Sequence, residues 1–237
     1  PGPPFTVHCS PFTVGMPRAI LFDFNGVIIN DEPQHCEALT ATLAEYGIPL
    51  DRATYYREYL GFDDRECFRF TFERFGRPAA GPALDEAIER KAVHYAAGIR
   101  RSMPLVPGAV DFVRAAAADG LALAIVSGAL RREIELVLAA TGLRRLFGVV
   151  VAAEDVSACK PDPQGYTRAR EALGLAPDRC IVVEDSLPGL AAARAAGLRC
   201  AVLTTSHPAD ALGAADAVWP DLAGRRPSDL PWADAAA

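Results

Sequence analysis

The stretch AILFDFNGVIIND, Ala19 to Asp31, decides how the rest of the chain is read. Four apolar residues run into an aspartate, Asp23. Two positions later stands Asn25, followed by a glycine and a second apolar run. A short continuous apolar run, here within Arg18–Phe24, marks a strand buried on both faces. An aspartate at the end of such a strand is placed to be a nucleophile or a metal ligand. Asn25 stands where a second acid could have stood, and any chemistry has to be reconciled with it.

Downstream of Asp31 the pattern turns helical. Cys36, Leu39, Leu43 and Tyr46 recur at helical spacing over Glu32–Tyr46, and Gly47 stops the run. Further helices are expected over Arg52–Tyr59, Asp64–Phe75 and Leu84–Ala97. The segment Met103–Gly108 reads as a linker. After it, strands and helices alternate: helix Ala109–Ala118, strand Leu121–Val126, helix Arg131–Ala140, strand Gly148–Ala152, helix Tyr166–Leu173, strand Cys180–Val183, helix Gly189–Ala196, strand Arg199–Leu203, and a last strand at Ala217–Val218. Such alternation predicts an α/β chain with a parallel sheet covered by helices on both faces. In sheets of this kind ligands bind at the carboxyl ends of the strands. The tail from Pro220, rich in Pro and Ala, is expected to be loosely held.

Bulk properties narrow the function. The chain has 237 residues, 51% hydrophobic and 23% charged, in the range of soluble globular proteins. Its net charge of -6 argues against nucleic acid or an anionic membrane as partner. No apolar run approaches the ~20 residues of a transmembrane helix. Residues 1–15 lack the basic start and apolar centre of a signal peptide and read as an irregular extension, with Met16 the expected natural start. The six cysteines form no CxxC pair, and reduced thiols in a cytoplasmic protein, monomer or weak dimer, are the expectation. Cys159 has a neighbour, Lys160, expected to lower its pKa. Lys91 and Lys160 are the only lysines.

Polar residues end three of the expected strands: Asp23, then Ser127-Gly128, then Glu184-Asp185. A fourth strand leads into the loop carrying Lys160. In a parallel sheet these groups meet at one edge. Three carboxylates together repel one another unless a cation sits among them, and an all-oxygen set suits Mg²⁺ beside a substrate phosphate. Ser127, the Gly128 N–H and Lys160 are donors suited to phosphate oxygens. A carboxylate facing phosphorus, with a cation and an ammonium beside it, is the arrangement for phosphoryl transfer through an aspartyl phosphate. Singly, each residue has a plainer reading. Asp23 can cap a turn, Ser127 and Glu184-Asp185 can cap helices, and Lys160 can be a solvated loop charge.

Four strings in order, FDFNGVIINDEPQH, IVSGA, CKPDP with Gln164-Gly165-Tyr166, and VVEDSLPGLAAARAAG, resemble the motifs of the haloacid dehalogenase-like hydrolases, over Arg18 to about Leu203. The resemblance is to the members similar to beta-phosphoglucomutase and phosphoglycolate phosphatase. It implies a Rossmann-like parallel-sheet core (16–30 and 101–219) with an inserted all-helical cap (31–100), leaving a tail at 220–237. It further implies Asp23 as nucleophile and Mg²⁺ ligand, Asp185 as the second carboxylate ligand, Glu184 assisting, and the backbone carbonyl of Asn25 as a further ligand. Ser127 and Lys160 would hold the transferring phosphate of a small phosphorylated metabolite. His35 and Glu32 would stand near the substrate. Phe62, Asp63 and Arg65, in YLGFDDREC, would sit on the cap loop that reaches toward it.

Asn25 departs from the family pattern, which has aspartate there as the general acid and base. An amide hydrogen-bonds but exchanges no proton, and general acid–base help is worth ~10² to 10⁴ in rate. Three readings follow: a phosphohydrolase that is slow, prefers good leaving groups or recruits another group such as His35; altered chemistry of the dehalogenase kind or of the phosphonatase kind, which needs a Schiff-base lysine, with Lys91 as the candidate; or an impaired protein that binds a phospholigand. If the missing acid is the limitation, Asn25→Asp is expected to raise activity toward alkyl phosphates; no gain would mean that another group has taken the role or that the site does not do this chemistry. Deamidation at Asn25-Gly26 would install the same acid.

Overall fold

The computed structural model describes residues 17–60 and 62–232. The first strand, β1 (Ala19–Phe22), is completely buried, as its unbroken apolar run requires. It lies inside a six-stranded sheet of order β3-β2-β1-β4-β5-β6. The other strands are β2 (Ala122–Val126), β3 (Val149–Val151), β4 (Cys180–Glu184), β5 (Arg199–Leu203) and β6 (Ala217–Trp219), and every neighbouring pair is parallel. The order reverses direction at β1, between β2 and β4. That is the switch point where a parallel sheet opens a crevice for ligands.

Alternation along β1 divides the core in two. Ile20 and Phe22 face helices α5 (Ala109–Ala118) and α6 (Arg131–Thr141), meeting Phe112, Val113, Ile134 and Val137. Phe22 stands edge-on to Phe112 and Phe147, with ring centres 6.1 and 6.0 Å away. Ala19 and Leu21 face α7 (Gln164–Ala172) and α8 (Leu187–Ala195) through Tyr166, Ala169, Leu190 and Ala193. Both faces of the sheet are therefore covered, as the alternation of elements predicts.

Between β1 and α5 the described residues form four helices and no strand: α1 (Glu32–Glu45), α2 (Arg52–Glu58), α3 (Asp64–Arg74) and α4 (Pro82–Arg101). Cys36, Leu39, Leu43, Tyr55, Phe68, Phe72 and Leu84 give this unit an apolar core of its own. The segments that enter and leave it run side by side. Ile29 bridges Leu105 antiparallel, Asn30 N donates to Pro104 O at 2.8 Å, and Val106 N donates to Ile28 O at 3.0 Å.

The element types match the sequence reading, with shifted ends. Helix α4 runs two residues earlier and four later than expected. Proline is compatible with its first turn, and its last turn is basic (Arg100, Arg101), matching the helix dipole but not an apolar periodicity. The tail requires a correction. Far from loose, residues 220–232 are packed down: Leu222 and Leu230 are buried, Leu222 N donates to Pro107 O at 3.0 Å, and Arg18 stacks on Trp232. Gly108, at φ +78°, has the Leu222 backbone where a Cβ would lie, at 2.3 Å. The extension 1–15, Met16 and Cys9 lie outside the described residues. No helix among the described residues is long and apolar enough to cross a membrane.

Candidate active site

The strand register sets the site. Phe22 aligns with Ile125 on one side and Val183 on the other, so Asp23 and Glu184 emerge level, with Ser127 beyond Val126. Asp23 N donates to Val183 O at 2.9 Å and Ser127 N to Val151 O at 3.0 Å, extending the pairing just past the strand ends. Oxygen atoms of Asp23, Glu184 and Asp185 all lie within 4.8 Å of one another, and all three residues are buried. Lys160 reaches in from the loop after β3, its Nζ 2.7 Å from Asp23 Oδ1 and 2.5 Å from Glu184 Oε1.

Each carboxylate is held differently. Glu184 accepts from Lys160, from the Tyr166 hydroxyl at 2.9 Å, and from the Asp185 and Ser186 N–H groups at 2.8 and 2.9 Å. Burial opposes its charge, but Lys160 and these N–H groups outweigh burial and hold it below the ordinary glutamate value. Burial pushes the Asp23 carboxyl up to about 7, with Lys160 pulling against it and Glu184 adding to it. Asp185 is pushed well up, by burial first and then by Glu184 and Asp23. It accepts from Ser206 and, at 3.3 Å, from Thr205 Oγ1. Three carboxylates share one ammonium here, and a cation among them would keep Asp23 and Asp185 ionised against the burial that pushes them up. An all-oxygen, converging set fits a hard divalent ion.

Two glycines make room for the carboxylates. Gly26, at φ +74°, has Asp185 Oδ2 at 1.8 Å from where its Cβ would be. Gly189 has Glu184 Oε1 at 1.7 Å from the corresponding point. Any side chain at either position would displace a carboxylate. The Gly26 N–H also donates to Ile29 O at 2.6 Å. It is the nitrogen that would have to attack the Asn25 side chain for succinimide formation, so the bond opposes deamidation.

Beside this cluster lies a second one. Asn25 Nδ2 donates to Asp31 Oδ1 at 2.8 Å and lies 3.4 Å from His35 Nε2, while Ser127 Oγ stands 3.4 Å from Asn25 Oδ1. Asp31 is buried, and also accepts from the Tyr95 hydroxyl. Lys91 Nζ is 2.6 Å from His35 Nδ1, 2.6 Å from Asp64 Oδ1 and 3.6 Å from Glu133 Oε1. Burial works against charge on Lys91, but Asp64 and Glu133 raise its pKa above the ordinary lysine value. A Schiff-base amine has to be unprotonated and within reach of substrate. Lys91, charged, 2% exposed and bonded on two sides, is arranged for neither.

The sequence-derived candidates thus divide. Asp23, Asn25, Ser127, Lys160, Glu184 and Asp185 converge, with Gly128 following Ser127 and His35 reaching Asn25. Glu32 accepts from Tyr55 at 2.5 Å, within the helical unit. Asp63 caps α3, accepting from Glu66 N at 2.8 Å, and its other oxygen is 3.8 Å from Cys159 Sγ, touching the loop of Lys160. Phe62 is exposed and packs edge-on against Phe70. Arg65 pairs with Asp85 and lines a cleft of about 500 Å³ between helical unit and core, with Leu130, Arg131 and Arg132. The expectation for Cys159 is reversed: burial and the neighbouring Asp63 and Glu66 push its thiol up, not down. All five described cysteines are free thiols, four of them buried.

Comparison with known proteins agrees with this geometry. Residues 17–197 match the haloacid dehalogenase-like hydrolase family. A validoxylamine A 7′-phosphate phosphatase of Streptomyces hygroscopicus subsp. limoneus is 33% identical over 207 residues, 87% of this chain and 95% of that protein. Hexitol phosphatase B of Escherichia coli K12 is 30% identical over 190 residues, 79% of this chain and 85% of its own. The crystal structure of CbbY from Rhodobacter sphaeroides in complex with phosphate superposes with a TM-score of 0.80 at 31% identity, covering 91% of this chain and 100% of that one. The chain belongs to the haloacid dehalogenase-like hydrolases.

Proposed function

We propose that this hydrolase is a Mg²⁺-dependent phosphatase of small phosphorylated metabolites, working through a phosphoryl group carried on Asp23. The observation that supports it most is Lys160 Nζ bonded to Asp23 and Glu184 together, at the carboxyl ends of β1 and β4. Asp23 is the group at the sheet edge that can attack phosphorus. As the Asp23–phosphorus bond forms, the bond to the leaving oxygen breaks, and water later returns the carboxylate and releases phosphate. Lys160 offsets the repulsion between that carboxylate and an anionic substrate, and Ser127 Oγ offers a hydrogen bond to a phosphoryl oxygen.

Asp23, Asp185 and the Asn25 carbonyl would hold the ion, with Glu184 behind them. When bound, Mg²⁺ supplies positive charge beside the transferring phosphoryl group. The four helices serve as the cap in this reading. The cleft lined by Arg65, Arg131 and Arg132 is the side from which a polyhydroxylated phosphate ester would enter. The relatives named above, phosphatases of a validoxylamine phosphate and of hexitol phosphates, support that substrate class.

The test is phosphate release from a panel of sugar, polyol and cyclitol phosphates with added Mg²⁺. Asp23→Asn is expected to lower turnover by more than about 10³-fold. Turnover that survives the substitution would refute the nucleophile.

A further inference from the structure

Asp31 is the residue that the reading so far leaves without a task. It stands at the N-cap of α1, where an aspartate ordinarily accepts from the first-turn N–H groups, yet its side chain makes no capping bond. It is 1% exposed. Its oxygens instead take three donors: Asn25 Nδ2 at 2.8 Å, the Tyr95 hydroxyl, and His35 Nε2 at 3.4 Å. The histidine contributes as a donor because Lys91 donates to the other ring nitrogen, Nδ1, leaving the ring hydrogen on Nε2.

We infer that Asp31 is a positioning residue: its carboxylate fixes the Asn25 carboxamide with nitrogen turned inward and oxygen turned to Ser127, so that Asn25 Oδ1 accepts a hydrogen bond from the attacking water. The amide presents its NH₂ to Asp31, Nδ2 lying 2.8 Å from Asp31 Oδ1. The carbonyl oxygen is thereby committed to the opposite side, where Ser127 Oγ lies 3.4 Å away. Acid and amide are thus distributed in a particular way, with the amide at position 25 facing the phosphate and the carboxylate at position 31 behind it. Asn25 keeps the orienting part of an acid's role and gives up proton exchange. The inference rests on the phosphatase reading for its role, but not for its geometry.

The arrangement changes the expectation for Asn25→Asp. That substitution alone places two carboxyl groups face to face at the 2.8 Å contact, where they repel or hold one shared proton that is then not available to the leaving group. The reciprocal exchange, Asn25→Asp with Asp31→Asn, restores donor to acceptor. We therefore expect a coupled double-mutant cycle. Asn25→Asp alone should lower Tm and give no gain in kcat. The double variant should recover at least about 4 °C of that loss and raise kcat toward alkyl phosphates above wild type by at least about tenfold, with KM little changed. Asp31→Ala alone should lower kcat at least about tenfold while KM stays within threefold or so, since phosphate holding by Ser127 and Lys160 is untouched.

Additive Tm changes, or an Asn25→Asp enzyme as stable as wild type and faster, would overturn the inference. If no phosphate ester is turned over by wild type, the phosphatase reading fails, and the Tm arm of the cycle still decides whether positions 25 and 31 are coupled.

Discussion

The chain has two lysines, and each sits among acids in a different kind of cluster. Lys160 stands where Asp23, Glu184 and Asp185 converge on one point within 4.8 Å. Lys91 stands between Asp64 and Glu133, with His35 passing the contact on to Asp31 and Asn25. Acids outnumber lysines in both. In the first cluster the acids face one another across a common space, and burial drives Asp23 and Asp185 toward protonation. In the second they are spread around the cation and along a chain of hydrogen bonds that already contains its own donors, Tyr95 and His35. One cluster is an arrangement with room for a cation among its oxygens. The other is completed by the protein, and joins α1, α3 and α4 to α6 of the core.

That contrast can be broken by exchanging the loss of one lysine for the other. Lys160→Met should reduce kcat/KM for phosphate esters by about 10² to 10³, measured by phosphate release, and should also lower Tm because Glu184 loses its ammonium partner. Lys91→Met should lower stability with a smaller effect on kcat/KM. Removing one partner of a buried ionic cluster costs about 3 to 5 kcal/mol, read by urea unfolding. If Lys91→Met leaves stability intact, the second cluster is not a strut.

A finer test uses Gly26→Ala. The added methyl meets the Asp185 carboxylate at a backbone φ that disfavours any side chain. The expected loss is about 1 to 3 kcal/mol, with weaker Mg²⁺ binding by titration calorimetry. The smallest effect should come from Arg65→Ala. Its ion pair with Asp85 is exposed on both sides, so stability should move by less than about 1 kcal/mol. A change in KM without a change in kcat would place Arg65 on the substrate's path.

The first cluster was legible in the sequence and the second was not, for a physical reason. Asp23, Ser127 and Glu184-Asp185 each follow a short apolar run, and parallel pairing brings the ends of such runs together whatever lies between them. Sequence order alone therefore places them at one edge. The second cluster joins Asn25 and Asp31 to Lys91 and Tyr95, which reach them from α4, and to Glu133 on α6. That meeting depends on how helices pack, and no periodicity encodes it. Asp31 was visible only as a residue in the first motif, and Tyr166 only as the last letter of the third. Thr205 and Ser206 had a signal that could have been read: they follow β5 as polar residues at a strand end, like the others. The tail was misjudged because composition described it as Pro- and Ala-rich, while two leucines and a tryptophan in it decide its packing.

The bridge between Ile29 and Leu105 has a consequence for how such a chain can change. The helical unit leaves and rejoins the core at a single hydrogen-bonded neck, with Asn30 and Pro104 side by side. Segments with adjacent ends can be replaced without altering the order of the strands beneath them. A different insert spliced at that neck would leave Asp23 and Lys160 in place and would have to supply its own acceptor for Asn25 where Asp31 now stands. The helical unit and the sheet edge that carries Asp23 can therefore diverge at different rates, with the Asn25–Asp31 contact as the junction that constrains both.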